Sequence, residues 1–119
     1  MSGQDSMCPL RFMTQVFGGK WKIPIICILA EQSPKRYSTI KRRLGDITNM
    51  MLSQSLKELE AAGMVNRVQF NEIPPHVEYS LTERGRRALP VLTAAAQWAL
   101  QEMADAGISP HCEECTSSL

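Results

Sequence analysis

No apolar run in this chain of 119 residues is long enough to cross a bilayer; its best stretch, residues 23–30, is interrupted by Pro24. The amino terminus lacks the basic-then-apolar pattern of a secretory signal, so the expected location is the cytoplasm, with no membrane partner. Histidine is scarce. Only His76 and His111 are present, and neither sits in a nucleophile or acid–base arrangement. A glycine-rich phosphate loop is also missing, so neither an enzyme nor a cofactor is expected. From residue 88 onward there is no lysine or arginine at all, against four acids. In a reducing compartment the four cysteines read better as thiols, sensors or ligands than as a structural disulfide framework. His111-Cys112 with Cys115 looks like half a zinc site, but one Cys-x-x-Cys supplies too few ligands, so no metal is expected. A redox pair or a solvated tail stays open there.

What is present suits one folded domain: the length is typical, and a hydrophobic share of 44% supports a core. Residues 35–87 hold ten Lys/Arg against six Asp/Glu, a local balance of +4, while residues 88–119 carry −4. A cation-rich middle with an acidic tail fits a surface for a polyanion. Charge counts alone would equally fit a solvated surface, so the pattern along the chain must decide.

Residues 9–17 place Leu10, Met13, Val16 and Phe17 at helical spacing, and Gly18-Gly19 end the run. Residues 20–31 form a second, largely apolar helix in which Pro24 fits only near the first turn. Arg36-Tyr37 reads as a scrap of strand. Ser38 suits an N-cap for a short helix over 39–44, whose Ile40 and Leu44 share one face. After the turn at Gly45-Asp46, Thr48 is the next N-cap. It opens a helix over 49–61 with Leu52, Leu56 and Leu59 inward and Gly63 as its stop. Two short helices joined by about four residues make a helix-turn-helix. Strands over 64–70 and 77–81, separated by a loop ending Pro74-Pro75, then supply a hairpin in the position of a wing. Thr82 caps a further short helix, and Pro90 opens an alanine-rich one to about 105. The fold class expected is mainly α with a small β-hairpin, a winged helix-turn-helix over 8–106, followed by a flexible polar tail over 107–119.

These elements carry residues that resemble the HxlR family of bacterial regulators, relatives of the MarR-type winged-helix proteins. The matching stretches include Cys8-Pro9, Gly18-Gly19-Lys20-Trp21, Tyr37-Ser38-Thr39-Ile40 and Leu52-Ser53-Gln54-Ser55-Leu56-Lys57-Glu58-Leu59-Glu60. They continue through Gly63-Met64-Val65-Asn66-Arg67, Ile73-Pro74-Pro75, Val77-Glu78-Tyr79-Ser80-Leu81-Thr82 and Pro90-Val91-Leu92, to Trp98. The chain departs from the family at Pro24, at Met50 and at His76, the last two standing where a cation is usual.

The helix-turn-helix reading assigns Asn49, Met50, Ser53, Gln54 and Lys57 to the major groove, with Thr48 at the helix start. Asn49 and Gln54 suit adenine, Met50 a thymine methyl, and Lys57 guanine or phosphate. Arg36, Ser38, Lys41, Arg42 and Arg43 are candidates for phosphate contacts, and Arg67 and His76 for the wing. One such domain covers little DNA, so a homodimer on a pseudo-palindromic duplex is expected. Its interface candidates are Leu10 and Met13 on the first helix, with Val91, Leu92, Ala95, Trp98, Ala99 and Met103 on the last. Cys8, just before Pro9, falls at a helix N-cap, where free amides and the dipole favour a thiolate. The resemblance makes Cys8 a candidate sensor of an oxidant or small electrophile; an inert, partly buried thiol is the alternative that stays open. Removal of charge at Met50 and His76 suits a different class, a winged-helix module that binds only protein.

Overall fold

The computed structural model describes residues 6–110; the expected His111-Cys112-x-x-Cys115 element and most of the tail lie outside them. Among the described residues, six helices and three strands run in the order α1 (Pro9–Phe17), α2 (Lys22–Glu31), β1 (Lys35–Arg36), α3 (Tyr37–Leu44), α4 (Asn49–Ala61), β2 (Val65–Phe70), β3 (His76–Leu81), α5 (Glu83–Arg87) and α6 (Leu89–Asp105). The fold is mainly helical with one small antiparallel sheet, strand order β1-β3-β2.

The core follows from the apolar spacing. Ile25, Ile26, Ile28 and Leu29 of α2 are buried on all sides, as expected of a helix without a polar face. Around it close Ile40 and Leu44 of α3, Leu52, Leu56 and Leu59 of α4, and Val65, Tyr79 and Leu81 of the sheet. Pro24 lies in the first turn of α2, where its missing N–H costs no helical hydrogen bond.

Two junctions set the position of the helix-turn-helix against the hairpin. At the end of α4, Gly63 adopts φ +78°, and Met64 N–H donates to Leu59 O (2.9 Å) while Gly63 N–H donates to Glu60 O (3.0 Å). This is a complete Schellman cap, and Met64 and Leu59 are both buried beneath it. At the end of β3, the Thr82 hydroxyl donates to Gly63 O (2.6 Å) and accepts from Gly85 N–H (3.0 Å), so one side chain caps α5 and ties it to α4. A Cβ on Gly85 would lie 2.4 Å from Met64 O, so that approach demands glycine.

The short strand falls one residue earlier than expected, at Lys35–Arg36, because Lys35 and Arg36 pair with Tyr79 and Glu78 of β3. The extended backbone of Arg36 then makes it the N-cap of α3, and the Ser38 cap reading is corrected: Ser38 lies inside the helix.

Candidate nucleic-acid interface

The four residues 45–48 join α3 to α4, and Thr48 accepts from Met51 N–H (3.1 Å) at the start of α4. With Leu52, Leu56 and Leu59 inward, the opposite face presents Met50, Gln54 and Lys57, flanked by Asn49 and Ser53, all exposed. Met50 is 80% exposed, an unusual setting for a long apolar side chain on a single chain. The expected groove-facing set is thus gathered on one surface.

Partners nearby orient that surface from both flanks. The Tyr37 hydroxyl of α3 lies 3.1 Å from Asn49 Oδ1 and 3.3 Å from Ser53 Oγ. Donating to Asn49, it leaves the asparagine NH2 uncommitted among the described residues. On the other flank the Gln54 amide donates to Glu58, and Glu58 Oε1 sits 2.8 Å from Lys22 Nζ. These hydrogen bonds, the one from Lys22 first, hold the Glu58 carboxyl below its ordinary value. Tyr37, Glu58 and Lys22 were not among the residues singled out from sequence. The four-residue spacing of Gln54 and Glu58 could have signalled their pair; the other two come from elements distant along the chain.

The cations divide. Arg36 and Arg42 are exposed and Lys41 is half-buried, and among the described residues none has an acid within ion-pair distance. Ser38 is exposed on the same short helix. Arg43 is different: its two terminal nitrogens meet the two Glu31 oxygens at 3.1 and 3.2 Å, which turns the guanidinium toward α2. A phosphate contact there would have to break a two-pronged pair.

The hairpin pairs β2 with β3 from Val65↔Leu81 to Phe70↔His76. Arg67 is exposed on β2. His76 does not tip the wing. Its ring stacks on Phe70 (centroids 4.7 Å apart), and its Nε2 lies 3.0 Å from Glu78 Oε2, with Glu72 3.8 Å from Nδ1. The tip is Ile73-Pro74-Pro75, with Ile73 99% exposed.

Of the expected interface residues, Leu10, Met13, Val91, Ala95 and Trp98 are exposed, Trp98 by 68%. Ala99 and Met103 are half-buried, and Leu92 packs against the chain's own core. Cys8 is the exposed N-cap residue of α1, whereas Cys27 is buried on α2. Among the described residues no helix is long and apolar enough to cross a membrane, and no group of three metal-ligating side chains forms.

Comparison with known proteins fits this architecture. The chain is 44% identical over 93 residues to an HTH-type transcriptional regulator of Halalkalibacterium halodurans, covering 78% of this chain and 82% of that one. Among solved structures, the redox regulator HypR in its oxidised form superposes with a TM-score of 0.72 at 39% identity, over 79% of this chain and 96% of HypR. The reduced form of the transcriptional regulator YodB from Bacillus subtilis gives 0.71 at 35% identity, over 80% and 93% of the two chains. Residues 16–106 match the model of the HxlR-like helix-turn-helix family. With a helix-turn-helix and a following hairpin in place, and these relatives, the chain belongs to the HxlR-like family of winged helix-turn-helix transcriptional regulators and is not an enzyme.

Proposed function

We propose that this regulator binds a pseudo-palindromic duplex as a homodimer, with α4 in the major groove, and that Cys8 switches it. The observation that carries this reading is the outward face of α4, where Asn49, Met50, Ser53, Gln54 and Lys57 lie together and free of the core. Polar groups there suit base edges, and exposed Met50 suits a thymine methyl. Arg36, Ser38, Lys41 and Arg42 hold the phosphates beside that groove, and Arg67 supports the wing, whose tip is the apolar Ile73.

Dimer formation is supported by two helices whose apolar side chains find no cover in a single chain, at Leu10, Met13, Val91 and Trp98. Two reading helices then meet half-sites roughly 34–36 Å apart. The switch is supported by the exposure of Cys8 at the start of α1, next to that same apolar surface, and by similarity to a protein named as a redox regulator. Oxidation or alkylation at Cys8 would alter how the two copies meet, and with it the spacing of the α4 helices. No zinc, cofactor or membrane enters the proposal.

The test is a gel shift of the reduced protein on the DNA beside its own gene, with and without an electrophile, for the native chain and Cys8→Ser. The expected result is a specific shifted band, modified by electrophile only when Cys8 is present. A band no stronger than on unrelated DNA would favour the protein-binding module instead. An equal response in Cys8→Ser would remove the switch.

A further inference from the structure

At the edge of the outward face of α4, three side chains from two helices are linked. Lys22 of α2 is buried, its side chain 11% exposed, with its ammonium 2.8 Å from Glu58 Oε1. The second carboxylate oxygen of Glu58 accepts from the amide nitrogen of Gln54, one turn back on α4. An ionised carboxylate only accepts hydrogen bonds, so the Gln54 amide turns its NH2 toward Glu58 and is not free to flip. The hydrogen bond from Lys22 holds the Glu58 carboxyl below its ordinary value. Of the three, only Gln54 lies among the outward residues, between Met50 and Lys57.

We infer that Glu58, braced by Lys22, is a specificity-determining positioning residue that fixes the amide plane with which Gln54 reads one base pair. The inference rests on α4 being the base-reading helix. A loose glutamine offers two amide orientations, one presenting a donor where the other presents an acceptor, and ordering it on DNA costs side-chain entropy. An anchored glutamine presents one pattern. Glu58 also carries a negative charge, which by itself repels phosphate. Its removal therefore lowers discrimination at one base pair without lowering affinity for DNA in general, and a merely structural role would not separate these two effects.

The experiment measures dissociation constants of the reduced full chain on a duplex selected from random DNA and on variants of it changed at each base pair symmetrically in both half-sites. Native protein, Gln54→Ala, Glu58→Ala and the double variant are compared. Gln54→Ala is expected to flatten preference at one position. Glu58→Ala is expected to cut discrimination at that same position about tenfold, with the other positions little changed. The double variant should match Gln54→Ala, and binding to unrelated DNA should be no weaker than native. Where stranding the Lys22 charge unfolds Glu58→Ala, Lys22→Met/Glu58→Met removes the pair together and is expected to show the same loss. Unchanged discrimination, a loss at a position other than that of Gln54, or uniform weakening on every duplex would overturn the inference while leaving α4 as the reader. A native protein indifferent to every base change would instead overturn the reading of α4, and this inference with it.

Discussion

Adjacent arginines on α3 differ in what they can do because their partners differ. Arg42 is exposed and, among the described residues, faces no acid, whereas Arg43 lays its fork across Glu31. Arg42→Ala is expected to lower the slope of log affinity against log salt by about one unit while sequence preference stays. Arg43→Ala should leave the slope unchanged and destabilise the fold by about 1–2 kcal/mol in urea titrations. A slope change for Arg43→Ala would mean that its guanidinium leaves Glu31 for phosphate. Gly85 offers a second check at this scale. Gly85→Ala forces a methyl against Met64 O and should cost about 1–3 kcal/mol, read from the same titrations. A neutral effect would show that α5 shifts freely, against the Thr82 tie to α4.

Between elements, α2 and α4 share the buried core and also the Lys22–Glu58 pair, and that pair should be sensitive to pH. The Glu58 carboxyl is held below its ordinary value of 4.5, chiefly by hydrogen bonding to Lys22. A carboxyl lowered on folding contributes stability that is fully present above 4.5 and lost as pH falls through the lowered folded value. The stability gap between native protein and Glu58→Gln should therefore be full at neutral pH and shrink in acid. A gap that persists in strong acid would remove the ion pair as its source. How much of this level was legible in the sequence depends on whether the cause was local. The spans of α1 and α4 followed from Pro9, Thr48 and Gly63, whose capping chemistry acts on their own backbone. The start of α3 did not: Ser38 is a good cap in isolation, but the pairing of Lys35 and Arg36 with β3 fixes the entry two residues earlier. The outward face of α4 was legible from the leucine period, while the partners of the side chains around it were not. Tyr37, Arg43 and Lys22 meet partners on other helices, and His76 is held by Phe70 across the hairpin, contacts that no spacing rule specifies.

Across the whole molecule, the proposed function requires two copies of α4 held at a fixed separation. Trp98 on α6 is a large exposed anchor, and Trp98→Ala is expected to weaken self-association at least tenfold in sedimentation equilibrium and to weaken binding to a two-half-site duplex. A native chain that sediments as a monomer at all concentrations would refute the dimer. Cys8 belongs to this scale as well, since it lies where α1 begins rather than near α4. Native protein should lose affinity for its duplex on mild oxidation and regain it with reductant, and Cys8→Ser should do neither.

The direct measurement is the ratio of affinities for a selected two-fold symmetric duplex and for a scrambled duplex of equal length, at physiological salt and fully reduced. For the native chain the ratio is expected to be on the order of a thousand or more. For Asn49→Ala/Met50→Ala/Gln54→Ala/Lys57→Ala, with its fold verified by circular dichroism, it should collapse toward one. A native ratio near one, or a quadruple variant that keeps the native ratio, would contradict the assignment of base reading to α4.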